Sequence, residues 1–246
     1  MNCVWVKAQG WRFGSFRAAV RKHGARGTCL FVVDAVVDRF FDVRYGTDTK
    51  RRVEVARLDA RGPSVAHAVH YSATRPREFR RLMSGLDIPA GGVFVDLGSG
   101  KGRVLLMASE YKFRRVIGVE FSSALCRIAR SNVVRFRQRR RASTCPVTVT
   151  ESDAAEYQFN DEETVLFLFN PFGAPVLSAV LDHLQESIRK RPRKVWIIYY
   201  NPVFADLVEE NGFIPLTSGH GYRTFTVYTT SQAEGDVPPG GVSPGH

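Results

Sequence analysis

The chain has 246 residues, 44% of them apolar and 11% aromatic, a composition that supports a sizeable buried core and excludes a disordered or fibrous chain. Thirty-five basic against twenty-four acidic side chains leave a net charge of +11, and the excess is local: residues 1–27 hold six Lys/Arg and no acid, and Arg127 to Arg141 holds seven Arg and no acid. No apolar run approaches the roughly 18 residues of a membrane span, and the four cysteines (Cys3, Cys29, Cys126, Cys145) include no CxxC pair, which excludes a zinc knuckle or a dense disulfide frame.

In chain order, residues 28–43 predict an apolar-rich helix. Asp34, Asp38 and Arg39 interrupt its apolar run and no small-residue cleavage pattern follows, so a cytoplasmic protein without membrane contact is expected. Tyr45-Gly46-Thr47-Asp48 reads as a turn and Val53-Glu54-Val55 as a short strand. His67 and His70 stand three apart but lack a third ligand, so no metal site is expected. Thr74 is the expected N-cap of a helix over 75–86, with Pro76 in its first turn and Phe79, Leu82, Met83 and Leu86 at helical spacing.

From residue 92 short apolar runs alternate with helical stretches. Val93-Phe94-Val95, Val116 to Val119, Val147-Thr148-Val149, Val165 to Leu168 and Val195 to Ile198 are strand-length and continuous, the pattern of strands covered on both faces. Between them, Val104 to Tyr111, Leu125 to Phe136 and Leu177 to Ile188 carry an apolar stripe at helical spacing. This order predicts a doubly wound α/β domain with a mainly parallel sheet, whose ligands lie beyond the carboxyl ends of the strands. Gly212 reads as a helix stop, after which Phe213-Ile214 and Arg223 to Thr229 predict a closing hairpin-like pair. The expected organisation is a basic arm and N-terminal helical extension over 1–70, a main domain over 71–230 and a disordered Gly/Pro-rich tail over 231–246.

The stretch VFVDLGSGKGRVLLMA, residues 93–108, runs from a strand through Asp96, Gly98, Ser99, Gly100 and Gly102 into a helix. Glycines at such a turn let the backbone approach a ligand closely. A phosphate-binding P-loop is excluded because Lys101 is followed by Gly102 and Val95 stands in place of the first Gly; a dinucleotide fingerprint fails because Arg103 replaces its third Gly. An acid two positions before GxGxG resembles the first motif of the seven-strand S-adenosylmethionine-dependent methyltransferases. Glu120, at the end of the second strand, has the place of a carboxylate that accepts ribose hydroxyls. Asp153 and Ala154, after the third strand, match the family's adenine-binding acid and small residue. The resemblance implies a seven-strand sheet and S-adenosylmethionine as cofactor.

Phe169-Asn170-Pro171-Phe172, after the fourth strand, looks like the NPPF or DPPY motif of amino-group methyltransferases, with one proline missing. The resemblance implies that Asn170 contacts the acceptor; turn capping is the alternative. Upstream, Tyr71-Ser72-Ala73-Thr74 together with the glycine motif and FNPF resembles a little-characterised group of bacterial methyltransferases, which implies a cofactor lid at Tyr71 and Thr74 and reaches back to Phe41 to Gly46. Seven-strand histone-lysine methyltransferases share DLGSGxG and an upstream Tyr loop, but their later motifs are not evident. The expected function is methyl transfer to an unidentified acceptor, with a nitrogen on a protein, nucleic acid or small molecule as candidates and Asn170, Tyr71 and Tyr199 as positioning groups. The alternative is a non-catalytic module of the same fold that binds nucleic acid through its Arg-rich segments; for Arg127 to Arg141 a solvated helix surface is the preferred reading.

Overall fold

Strands buried on both faces need helices on both sides, and the sheet is built that way. β1 (Val93–Leu97) and β5 (Trp196–Tyr200) are buried at every position. With β2 (Arg115–Glu120), β3 (Val147–Glu151) and β4 (Glu163–Leu168) they run parallel, while β6 (Phe213–His220) and β7 (Thr224–Thr230) form the expected antiparallel pair, with β7 against β5. The seven-stranded order is β3-β2-β1-β4-β5-β7-β6. The computed structural model describes residues 33–34, 36–50, 73–140, 144–170, 172–220 and 223–231. The predicted strand at 53–55, His67, His70 and Tyr71 lie outside them.

Residues 33–34 and 36–45 are helical and make up α1, which runs two residues beyond the predicted 28–43 helix at its C-terminal end. It is followed by α2 (Pro76–Ser84), α3 (Arg103–Ala108), α4 (Ser123–Arg139), α5 (Ala174–Lys190) and α6 (Ala205–Glu210). The sequence misplaces the start of α2. Its N-cap is Arg75, extended at φ −73 and ψ 132, and not Thr74. The fixed φ of Pro76 suits the first helical position and holds the preceding residue extended, so the proline decides the boundary.

Alternate side chains of each strand feed two cores. On one face Phe79, Leu82, Leu105, Val133 and Phe136 from α2, α3 and α4 pack on Phe94, Val116, Phe167 and Tyr200. On the other, Val176, Leu177, Val180 and Leu184 of α5 and Val208 of α6 cover Val95, Ile117, Leu166, Ile197 and Tyr199. α1 joins the first core through Phe41 and Tyr45, whose rings lie 6.4 and 4.5 Å from that of Phe136. Asp34, Asp38 and Asp42, spaced four apart, form an inward stripe on α1, and Asp34 meets Arg77 and Arg81 of α2 at 3.2 and 3.4 Å. The acids that break the apolar run therefore dock the helix.

From β1 the chain winds outward through β2 and β3; from β4 it winds the other way. The strand order reverses between β1 and β4, so their carboxyl ends are the topological switch point where such folds bind ligands. Among the described residues no helix is long and apolar enough to cross a membrane, and no group of three His, Cys, Asp or Glu is placed to hold a metal ion.

Candidate functional site

The glycine turn closes the end of β1. Gly98, Gly100 and Gly102 have φ of 74, 55 and 80°, a region that side chains with a Cβ rarely adopt, which is why the turn needs glycine at these positions. The Gly98 and Ser99 amides donate to the Val119 carbonyl at 2.9 and 3.0 Å, and the Gly102 amide donates to the Ser99 carbonyl at 2.8 Å. The turn is thereby sewn to β2. The Ser99 hydroxyl is buried without a hydrogen-bond partner and lies over Gly118, where an added Cβ would come within 2.8 Å of it.

Two buried carboxylates stand beside this turn. Glu120 accepts from the Gly100 amide at 2.8 Å through Oε2 and from the Ser122 amide at 3.0 Å through Oε1. Burial raises its pKa, against the pull of those backbone bonds. Burial also holds the Asp96 carboxyl well above the usual carboxylate range, and the charge of Glu120 adds to the effect. After β3, Asp153 caps a 3-10 turn, accepting from the Ala155 amide at 2.9 Å, and Ala154 is buried. Glu120 and Glu151 are register partners at the ends of β2 and β3, and the Ser152 amide donates to the Glu120 carbonyl at 3.1 Å. Thus Asp96, the three glycines, Ser99, Glu120, Asp153 and Ala154 lie along one edge of the sheet.

Asn170 follows β4 on the same edge. It is in the left-handed region at φ 40°, and its Oδ1 accepts a 3.2 Å bond from the Tyr199 hydroxyl of β5. Burial pushes the Tyr199 phenol up to about 12, with a backbone bond from Phe204 working the other way, so the hydroxyl is a donor at neutral pH. The N-cap of α5 is Gly173, so Asn170 does not cap that helix. Tyr200, next in β5, points to the opposite face, its ring 5.7 Å from Phe169 and 5.6 Å from Phe225.

Residues 64–171 match the family model described as histone methylation protein DOT1. The match spans somewhat under half of the chain and ends in the Asn170 turn; no curated protein matches. Similar solved structures include an RNA methyltransferase from Salinibacter ruber in complex with S-adenosyl-L-homocysteine, 19% identical over 67% of this chain and 97% of that one, with a TM-score of 0.47. A ribosomal protein L11 methylase from Lactobacillus delbrueckii subsp. bulgaricus is 13% identical over 64% and 79%, with a TM-score of 0.47. A precorrin-6y C5,15-methyltransferase from Geobacter metallireducens GS-15 is 15% identical over 72% and 95%, with a TM-score of 0.48. The seven-strand order is the one that the sequence resemblance implies, and the matched family model is that of a methylating protein. Asp96 and Glu120 are both buried, with no ion pair to either among the described residues, a setting that suits a cofactor carrying positive charge such as S-adenosylmethionine.

Behind the glycine turn lie two buried cations that sequence reasoning missed. Lys101 and Arg103 are both only 1% exposed. Lys101 pairs with Asp48 at 3.0 Å. Arg103 pairs with Asp38 of α1, bonds Thr49 Oγ1 at 2.6 Å, reaches Asp42 at 3.3 Å and lies 5.0 Å over the Phe41 ring. Asn132 of α4 accepts from the Asp48 amide at 2.9 Å and donates to the carbonyls of Lys101 and Asp48 at 3.0 and 3.2 Å. The one available signal was the four-residue spacing of Asp34, Asp38 and Asp42.

Proposed function

We propose that the chain is an S-adenosylmethionine-dependent methyltransferase that binds its cofactor along the carboxyl ends of β1, β2 and β3 and methylates a nitrogen acceptor held at the end of β4. In this reading Glu120 accepts the ribose hydroxyls with the lone pairs that its backbone donors leave free. Asp153 and the buried Ala154 flank the adenine, and Gly98, Ser99, Gly100 and Gly102 give backbone approach beside Asp96. Bound S-adenosylmethionine supplies an activated methyl group, so the protein's own task is alignment and exclusion of water.

The observation that carries the acceptor side is Asn170. Its left-handed backbone and its bond from Tyr199 fix the amide oxygen at the end of β4 with one lone pair still available. That oxygen accepts from an acceptor N–H and turns the nitrogen lone pair towards the methyl group. Tyr199 is protonated at neutral pH and acts as an orienting donor, with no role as a base. Tyr71 remains the proposed lid.

The nucleic-acid module draws less support from the basic helix. Arg130, Arg135, Arg137 and Arg139 donate to the carbonyls of Val149, Gly46, Cys145 and Val43, and Arg140 pairs with Glu110 at 2.8 Å. Several arginines of the cluster thus serve internal contacts, where the sequence suggested a solvated face. Incubation with tritiated S-adenosylmethionine and fractionated lysate tests the proposal. Label in one acceptor pool is expected from wild type and not from Asn170→Gly; a salt-dependent gel shift without label in protein, RNA or small-molecule fractions would favour the module.

A further inference from the structure

We infer that residues 36–50 are a positioning element of the cofactor site, acting through Lys101 and Arg103. The inference rests on the cofactor reading above and concerns residues outside the strand-end edge that carries it. Lys101 sits between Gly100 and Gly102, so wherever its ammonium is held, the turn is held too. It is held at 1% exposure by Asp48, whose own side chain is 44% exposed. Arg103, the first residue of α3, is anchored from the same side by Asp38, Asp42 and Thr49.

The two anchors share one support. Asp42 accepts from the hydroxyls of Thr47 and Thr49 at 2.7 and 2.6 Å and from the amides of Thr49 and Lys50 at 3.0 and 2.9 Å, which folds residues 47–50 around the end of α1. Asn132 then ties the Asp48 backbone to the Lys101 carbonyl. Gly46 completes the bend at φ +65, with the Arg139 guanidinium so close that an added Cβ would lie 2.5 Å from it. A buried cation without its counter-charge either drags its backbone towards water or leaves the charge uncompensated. At Lys101 the first response displaces Gly100, whose amide donates to Glu120. The acidic segment therefore acts at a distance on the carboxylate proposed to bind the ribose.

Asp48 is the residue to change, because it is half-exposed and its loss removes a charge without opening the core. Calorimetric titration of the full chain with S-adenosylmethionine, together with hydrogen exchange of residues 98–103 in the cofactor-free protein, compares wild type, Asp48→Asn, Asp48→Glu, Lys101→Met and the Asp48→Asn/Lys101→Met pair. Asp48→Asn is expected to weaken binding about tenfold and to speed exchange in the turn. Exchange in β4 and β5 should stay near that of wild type, and Asp48→Glu should restore both readouts. In the Lys101→Met background Asp48→Asn should have no further effect, since no cation is left to neutralise. Unchanged exchange and affinity in Asp48→Asn would overturn the inference, as would an equal loss in the Lys101→Met background. If wild type itself does not bind S-adenosylmethionine while Asp48→Asn still loosens the turn, the cofactor reading fails and the positioning of the turn stands.

Discussion

Asp96 and Glu120 are two site carboxyls whose ionisation the fold opposes. Burial raises both, and at Asp96 the neighbouring charge of Glu120 raises it further. A carboxyl whose folded pKa lies above its unfolded value of about 4 contributes its stability below that value and loses it as pH climbs through the folded pKa. The melting temperature of Asp96→Asn relative to wild type should therefore rise with pH above about 4. A cationic ligand favours the ionised pair, so S-adenosylmethionine affinity should increase across the same window with proton release. Titration calorimetry in two buffers of different ionisation enthalpy reads that release, and an affinity independent of pH would remove the pair from the site. At Asn170 the informative change is to Gly, because glycine tolerates φ 40° and the substitution removes the amide while sparing the turn. Turnover by Asn170→Gly should fall on the order of 100-fold, with cofactor affinity and melting temperature close to wild type; full activity would leave the residue no part in acceptor binding.

At the scale of elements, α3 and β2 meet under the glycine turn at Gly118, where an added Cβ would fall 2.5 Å from Leu105 Cδ1 and 2.8 Å from Ser99 Oγ. Gly118→Ala should cost about 1–3 kcal/mol by overpacking and should weaken cofactor binding as well, because the displaced atoms belong to the turn. Denaturant unfolding and calorimetry measure the two effects. The sheet and its glycine turn were legible in the sequence because their signals are local: continuous apolar runs, a strand-to-helix glycine cluster, and acids at the ends of β2 and β3. The anchoring of Lys101 and Arg103 was not, since a Lys or Arg in a turn ordinarily faces water and the partners here lie 53 and 65 positions upstream. The Asn170–Tyr199 bond was hidden for the same reason, although each residue was noticed by itself. The start of α2 was missed because a Thr beside a proline offers two competing caps.

Over the whole molecule, opposite charges buried at one seam make acid sensitivity specific. Burial alone would raise the pKa of Asp42, but the bonds from Thr49 and Thr47 and the charge of Arg103 outweigh it and hold the carboxyl below the ordinary range. Its stability is present above the unfolded value of about 4 and is lost as pH falls through the folded one. Wild type should accordingly lose stability below pH about 4 more steeply than Asp42→Asn, a difference that urea unfolding between pH 3 and 6 would resolve; parallel curves would mean that the seam is not what acid breaks. The same seam has a direction in time. A chain is made from its N-terminus at about 5–20 residues per second, and Asp38, Asp42 and Asp48 precede Arg103 and Lys101 by 53 to 65 positions. The acids therefore leave the ribosome first, Asp38 and Asp42 in the segment that becomes α1 and Asp48 just after it. When the two cations emerge, their counter-charges already exist, so at no stage of synthesis does the nascent sheet have to close over an unneutralised lysine or arginine.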